Sequence, residues 1–318
     1  MIVQAIGAAF LQLLQMGLVL VAAPLLTGFV SQVRARLMGR QGPPLLQPFR
    51  DLLRLLRKEA VVQDETSWLF TATPFLVFST LWLAAGLVPT FASGLALAPA
   101  ADLVALVGLL AVARVLTMLA ALDTGAGFGA LGAVRQSLVA VLAGPAMLMA
   151  IFAVAAAMRS TSLPRMAEFV LSGGVEPRLS LAIALLALTM LALADNARMP
   201  VDGPGAGSAT IGGATSLEYS GRHLALIEAA GMLRLLIHAS LIACIFVPWG
   251  MALPGDGALA PVIGLGAFAA KMAGAGVALA LTEVLSTRIG IRRLGEYGGW
   301  ALMAGMLAAI FLSVSLGA

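Results

Sequence analysis

Eight long apolar stretches dominate the chain, and each is long enough to cross a membrane as a helix. They lie at about 2–30, 68–91, 102–122, 136–158, 179–195, 223–249, 258–285 and 298–316. About 20 apolar residues span the roughly 30 Å of hydrocarbon in a bilayer, and helices can satisfy all their backbone hydrogen bonds there. The sequence therefore predicts an all-α integral membrane protein with about eight transmembrane helices, forming a single membrane domain over 1–318.

The composition agrees with this class and excludes several kinds of metal site. Hydrophobic residues make up 61% of the 318 residues and charged residues only 11%, a balance that excludes a soluble globular protein. One cysteine and two histidines cannot supply the usual ligand sets of haem, iron–sulfur or zinc sites. We therefore expect no cofactor and no metal site in this chain, and the small net charge of +4 gives no reason to expect nucleic acid binding.

The basic residues predict the orientation of the spans. They are concentrated in the loops after the first, fifth and seventh spans, whereas the loops of the opposite side carry only three arginines, Arg159, Arg165 and Arg178. Basic loops stay in the cytoplasm. The cytoplasmic loops are therefore predicted at about 31–67, 123–135, 196–222 and 286–297, with both termini on the periplasmic side.

The first of these loops contains a stretch with the pattern of an amphipathic helix. Apolar and basic residues form two separate stripes at helical spacing, the first made of Leu45, Phe49, Leu52, Leu53 and Leu56 and the second of Arg50, Arg54, Arg57 and Lys58. Such a cytoplasmic interfacial helix can lie on anionic membrane lipid or form a docking surface for a cytoplasmic partner. The candidate docking residues in the cytoplasmic loops are Arg34, Arg36, Arg40, Arg50, Arg54, Arg57, Arg198 and Arg222.

Six ionisable residues within or near the ends of the apolar stretches are candidates for a buried polar axis. They are Arg114, Glu228, Arg234, His238, Lys271 and Glu283. An ionised side chain at the centre of a membrane helix costs about 2.5–3.5 kcal/mol on insertion scales. Lys271 and Glu283 lie about 18 Å apart along one helix, so each needs a partner on another helix. Such partners would form an axis able to relay protons; the alternative is static pairs and residues whose charged ends reach the membrane surface.

A glycine pattern at residues 127–132 fits the dinucleotide-binding motif GxGxxG. That motif requires a preceding strand and a surrounding βαβ unit, and membrane helices flank it here. The sequence therefore predicts a tight turn after Asp123 and no nucleotide site.

Several separated motifs together resemble one family of membrane subunits. They are 34–37 (RARL), 40–43 (RQGP), 47–55 (QPFRDLLRL), 122–125 (LDTG), 197–202 (ARMPVD), 217–221 (LEYSG) and 246–250 (FVPWG), with the spacing from Lys271 to Glu283. The chain resembles, essentially from end to end, the membrane anchor subunit of formate hydrogenlyase and related group-4 membrane-bound hydrogenases. That family is related to the respiratory complex I membrane subunit that joins the peripheral arm, which is the H subunit of NADH-quinone oxidoreductase.

The resemblance implies a non-catalytic subunit of an oxidoreductase complex in the bacterial cytoplasmic (inner) membrane. It would anchor a hydrogenase-like or quinone-reductase-like cytoplasmic module, contact antiporter-like membrane subunits, and leave iron–sulfur clusters and a nickel–iron site to its partners. Coupling of the redox module to proton translocation is a further implication. The residues that match the family's polar positions are Arg114, Asp123, Asp195, Asp202, Glu218, Arg234, Lys271 and Glu283.

The chain departs from the family pattern between Asp202 and Glu218. The family usually carries several acidic residues there, whereas this segment contains none, so no side chain within it titrates near neutral pH. Two alternatives stay open at this point. One is a stand-alone secondary transporter with a broken helix around 200–213, because glycine-interrupted spans mark transporter sites; the other is a passive anchor that conducts no ions.

Overall fold

The computed structural model describes residues 2–62, 66–125, 127–173, 179–196, 198, 201–202, 218–253, 255–257, 259–285, 289–290 and 294–317. Ten α-helices make up nearly all of these residues. They are α1 (Ile2–Leu37), α2 (Gln47–Leu56), α3 (Trp68–Leu87), α4 (Leu103–Asp123), α5 (Gly127–Met158), α6 (Leu163–Leu171), α7 (Leu179–Asp195), α8 (Gly221–Phe246), α9 (Ala260–Leu285) and α10 (Leu294–Gly317). A short 3-10 helix, Ala98–Ala100, precedes α4.

All eight predicted spans are helices, so the prediction of an all-α membrane protein is confirmed. Within the described residues, seven helices are long and apolar enough to cross a bilayer, namely α1, α3, α4, α5, α8, α9 and α10. The eighth, α7, has 17 residues and lies at the lower limit of spanning length. The large side chains on their outer faces, such as Phe10, Leu13 and Val141, are exposed, as expected of a protein whose solvent is lipid.

Two boundaries differ from the prediction. Helix α1 continues to Leu37, so Arg34 and Arg36 lie in its last turn, and Gly39 follows with a left-handed φ of 68°. The predicted loop at 123–135 is mostly helix, because α5 already begins at Gly127. A Cβ on Gly129 would lie 2.9 Å from the carbonyl oxygen of Ala121. The glycines therefore allow the start of α5 to approach the end of α4 closely.

The helices pack around an alanine- and leucine-rich core. Helix α5 contacts α4, α7 and α10; α3 lies between α4 and α8; and α8 also contacts α1, α2, α6 and α7. Helix α9 lies at one edge of the bundle and packs mainly on α1. The short amphipathic helix α6, which the sequence patterns did not predict, buries Leu163, Met166 and Ala167.

Contacts between connecting segments join them at two ends of the bundle. At the basic end, Val201–Asp202 pairs in parallel with Ile289–Gly290, which joins the loops after α7 and α9. At the same end, Ser220 exchanges hydrogen bonds with Val61. At the opposite end, main-chain bonds join the segments at 101–103 and 161–163 and those at 91–93 and 252.

Helix α2 is fixed to the transmembrane bundle. It packs on α8 and α1 through a face on which Phe49, Leu52 and Leu55 are half-buried. The chain before it approaches α1 so closely that a Cβ on Gly28 would lie 2.2 Å from the carbonyl oxygen of Leu45. The predicted amphipathic helix is therefore present, and the protein itself covers part of its apolar face.

Candidate functional site

The centre of the charge network is an ion pair between α4 and α7. Arg114 Nη2 lies 2.7 Å from Asp195 Oδ1, and the two side chains are only 14% and 8% exposed. Arg114 lies near the middle of α4, so α7 ends at Asp195 well inside the bundle. A carboxylate at a helix C-terminus is opposed by the helix dipole, and the guanidinium of Arg114 offsets this repulsion.

His238 on α8 contacts Asp195 and adds a third helix to the network. Its Nε2 lies 3.5 Å from Asp195 Oδ2, and its Nδ1 lies 2.9 Å from the main-chain oxygen of Arg234. The same Nδ1 lies 3.3 Å from the donor Nδ2 of Asn196. In one neutral tautomer Nδ1 accepts from Asn196 and Nε2 donates to Asp195; in the other Nδ1 donates to the Arg234 oxygen. In this second tautomer the contact between Nε2 and Asp195 is attractive only when one further proton lies on the imidazole or on the carboxylate. This geometry gives the pair a place for an exchangeable proton.

Polar side chains extend the network beyond the predicted residues. Asn196 Nδ2 lies 3.3 Å from His238 Nδ1. The Gln136 amide donates to the hydroxyl of Thr117, which donates in turn to the main-chain oxygen of Arg114. Among the residues that the structure describes, Arg114 Nε and Gln136 Oε1 are buried without a hydrogen-bond partner. Sequence reasoning missed Asn196 as a network member, and its adjacency to Asp195 was the available signal.

A second cluster lies at the basic end of the bundle, around Glu283 on α9. Arg34 on α1 and Arg198 after α7 approach its two carboxylate oxygens at 3.2 and 3.1 Å. The Glu283 side chain is 5% exposed, whereas those of Arg34 and Arg198 are 50% and 22% exposed. Glu283 therefore has partners on other segments, as expected. Arg34 and Arg198 were also predicted as docking residues, but much of their charge is used inside the chain.

The network is continuous with this cluster through the main chain. Arg198 lies three residues after Asp195, and its amide donates to the oxygen of Leu193 in the last turn of α7. Arg234, one turn before His238, interacts electrostatically with Asp195 and Arg114. The predicted residues Arg114, Asp195, Arg234 and His238 are thus brought together, and Glu283 lies in the adjoining cluster.

The other predicted axis residues lie apart from this network. Lys271 is half-buried and has Cys244 as its electrostatic neighbour. Glu228 interacts with Asp51 and Arg54 of α2. Asp202 is described only through its main chain, which pairs with Gly290, and the acid-free segment 203–217 lies outside the described residues.

Asp123 and Glu218 lie at the junction between α3, α4 and α5. Asp123 Oδ2 accepts hydrogen bonds from the amide and the hydroxyl of Ser67, at 3.0 and 2.7 Å. Glu218 lies close to Gly129 at the start of α5. Asp123 therefore joins the end of α4 to the start of α3, which is a structural role that the sequence patterns did not indicate.

Tyr219 completes this junction between helices. It stacks on Phe70 with ring centroids 4.2 Å apart, and its hydroxyl donates to the main-chain oxygen of Phe70. Burial raises the pKa of Tyr219, and the nearby Asp123 carboxylate adds to this rise. The phenol therefore stays protonated at physiological pH and acts as a hydrogen-bond donor.

Within the part of the chain that the structure describes, the exposed basic surface at this end of the bundle includes Lys58 and, outside the Glu283 cluster, six arginines. The six arginines are Arg36, Arg40, Arg50, Arg54, Arg57 and Arg222. Arg54 forms a surface pair with Asp51 at 3.2 Å, which leaves most of the cationic surface without acidic neighbours in the salt-bridge range among the described residues. Within the same described ranges, no group of three or more His, Cys, Asp and Glu side chains could hold a metal ion.

Known proteins share both the sequence and the fold of this chain. The NADH dehydrogenase family model matches residues 9–314. Formate hydrogenlyase subunit 4 of Escherichia coli is 31% identical over 238 residues, covering 75% of this chain and 77% of that protein. The H subunit of the NADH-quinone oxidoreductase of Rubrobacter xylanophilus is 28% identical over 253 residues, covering 74% of each.

A solved structure gives independent support for the fold. A chain of the membrane-bound sulfane sulfur reductase, an archaeal respiratory membrane complex, superposes with a TM-score of 0.80 at 21% identity, covering 95% of this chain and 99% of that chain. The resemblance carried by the loop motifs is confirmed, and the chain belongs to the NADH dehydrogenase family.

Proposed function

We propose that this chain is a non-catalytic membrane subunit that anchors the cytoplasmic redox module of a hydrogenase- or complex-I-like oxidoreductase. The observation that carries the proposal is the placement of α2. One face of this helix is held on α1 and α8, while Arg50, Arg54 and Arg57 are exposed on its outer side. A helix fixed in this way offers a partner a rigid cationic surface. Kinship with formate hydrogenlyase subunit 4 supports the same function.

The proposal extends to location and to the other subunits. The chain would lie in the bacterial cytoplasmic membrane with both termini on the periplasmic side, because the basic surface lies at one end of the bundle. Hydrogenase-like or quinone-reductase-like subunits would bind at that end, and antiporter-like subunits within the membrane. Iron–sulfur clusters and a nickel–iron site would belong to these partners.

The buried network supports a coupling role in addition to anchoring. Arg114, Asp195 and His238 come from three different helices, and the contact between Asp195 and His238 offers a place for one exchangeable proton. The acid-free segment at 203–217 supplies no further acids, so protons would pass between the network and the redox module through Glu283, which Arg198 holds in place, or through a partner. A passive anchor would have no use for such a proton.

The alternative of a stand-alone transporter receives less support. That function needs corresponding helix interruptions in both halves of the chain, and in the first half the sequence offers the glycines between 125 and 132 as a candidate. Helix α5 instead runs without a break from Gly127 to Met158. The interruption around 200–213, which suggested the transporter, lies outside the described residues except for Val201 and Asp202, which pair with Ile289 and Gly290.

The anchoring function is tested by reversing Arg50, Arg54 and Arg57 to Glu together. We expect the triple variant to insert normally but to release the redox module from the detergent-solubilised complex, because the cationic surface becomes anionic. Scoring in detergent separates partner binding from attraction to anionic lipid. The measurement is the amount of redox subunits that co-purifies with the tagged chain.

The matched control reverses exposed arginines at the opposite end of the bundle. Arg159 and Arg165 are both exposed there, and their reversal to Glu should leave co-purification unchanged. Retention of the module at the wild-type level by the triple variant at α2 would refute this docking surface.

A further inference from the structure

The outer face of α9 carries a ridge of small residues that no other part of the described chain covers. Its members are exposed and spaced one turn apart, namely Gly266, Ala270, Gly274, Ala278 and Thr282. A Cβ added to Gly266 or Gly274 would meet no atom within 4 Å. Glycine in a helix interior is unfavourable relative to alanine, and contacts within the described chain give no reason for it at these two positions.

Lys271 lies beside this ridge, near the middle of α9. Its side chain is half-buried. Of its neighbours one turn away, Phe268 is buried in the bundle, whereas Ala267, Gly274 and Ala275 are small. Among the described residues, the ion pairs within 4 Å do not include Lys271, and its electrostatic neighbour is the thiol of Cys244. The described chain thus supplies no carboxylate for this ammonium group.

The hydrocarbon of the membrane cannot neutralise the Lys271 ammonium group as a carboxylate would. Lysine side chains near helix ends extend to the membrane surface, but Lys271 lies about 16 Å along the helix from Ala260 and about 21 Å from Leu285. These distances exceed the reach of its stem. An intramembrane cation therefore requires a partner anion. Because Lys271 is partly exposed at the surface of the bundle, this anion would lie outside the chain.

We infer that the Gly266 to Thr282 face of α9 binds a transmembrane helix of another membrane subunit, and that this helix carries an Asp or Glu at the depth of Lys271. Small residues one turn apart allow two helix backbones to approach closely in a membrane, which brings a short carboxylate side chain within reach of the ammonium. A second copy of this chain would instead bring two Lys271 side chains together. The inference rests on the proposed membership in a multisubunit complex.

The first test uses substitutions on this face in the complete complex. Gly274→Leu blocks close helix approach, Lys271→Glu reverses the charge, and Lys271→Arg keeps it. We expect the first two variants to lose at least tenfold of the co-purifying membrane subunit while the redox module stays bound, and Lys271→Arg to keep most of it. The control is Gly108→Leu, because a Cβ on Gly108 of α4 also meets no atom within 4 Å.

A second test does not depend on stability of the substituted chains. A photo-crosslinking residue is placed at Ala270 or Ala278, and at Val104 on the exposed side of α4 as the control. We expect crosslinks from the two α9 positions to a membrane-spanning peptide that contains Asp or Glu, identified by mass spectrometry, and no such crosslink from Val104.

The outcomes separate this inference from the proposed function. Wild-type recovery of the membrane subunit with both Gly274→Leu and Lys271→Glu, or crosslinks from α9 to lipid alone, would overturn the inference and leave the anchoring function standing. A wild-type chain that co-purifies with no redox module would instead overturn the proposed function. Crosslinks to a peptide without an acidic residue would overturn the proposed charge pairing.

Discussion

Replacing Asp195 by Asn should strongly destabilise the folded chain. Asp195 faces Arg114 at 2.7 Å, and both side chains are nearly buried. Removing one partner of a buried ion pair costs about 3–5 kcal/mol, because the remaining charge is left uncompensated. The Asn amide oxygen can still accept a hydrogen bond from Arg114, so we expect a loss near 3 kcal/mol. This corresponds to a roughly 150-fold fall in the ratio of folded to unfolded chains.

The assay is equilibrium unfolding in mixed micelles of a mild detergent and dodecyl sulfate, followed by circular dichroism. A control substitution, Glu168→Gln on the exposed side of α6, should stay within about 0.5 kcal/mol of the wild type. The double variant Arg114→Met with Asp195→Leu removes both charges of the pair. It should be at least about 1.5 kcal/mol more stable than Asp195→Asn, although Arg234 still lacks its carboxylate.

Two results would refute this reasoning. A loss below about 1 kcal/mol for Asp195→Asn would mean that the carboxylate is hydrated in the folded chain. With the single variants Arg114→Met and Asp195→Leu measured alongside the double variant, strictly additive losses would mean that Arg114 and Asp195 do not interact.

Two further predictions concern the proton and the second cluster. Replacing His238 by Gln should keep assembly and electron transfer but reduce proton movement per turnover several-fold in reconstituted vesicles. The same change at His223, which packs on an aromatic ring, should leave proton movement unchanged. Equal pumping by both variants would contradict the coupling role. Glu283→Gln should lower the unfolding free energy more than Arg198→Gln, and Arg198→Gln more than Arg34→Gln. For the half-exposed Arg34 the loss should be at most about 1 kcal/mol. A larger loss for Arg34→Gln than for the other two variants would contradict this ranking by burial.

The spans and α2 could be predicted because their signals are local in the sequence. Apolar length identifies a membrane helix, and the two stripes around Phe49 and Arg50 identify an amphipathic one. The start of α5 was predicted too late, because Gly127 and Gly129 are also typical of a turn. In the structure, these glycines are small residues at a close contact between helices.

The partners of the buried charges could not be predicted in the same way. The sequence indicated that Arg114, His238 and Glu283 need partners, but it did not indicate which helices lie next to one another. Arg198 illustrates the difference, because its position in a basic loop suggested docking whereas its side chain lies against Glu283. Such pairings depend on the order in which helices pack, and that order is not encoded in the periodicity of any single segment.

The pairing of Arg114 with Asp195 also sets a condition on the synthesis of the chain at the membrane. Helix α4 leaves the ribosome first, and Asp195 follows Arg114 only 81 residues later. At typical rates of 5–20 residues per second, this takes roughly 4–16 s. During that interval a nascent chain carries an unpaired arginine in the middle of an inserted helix, so a chain truncated before α7 should be a substrate for membrane quality-control proteases.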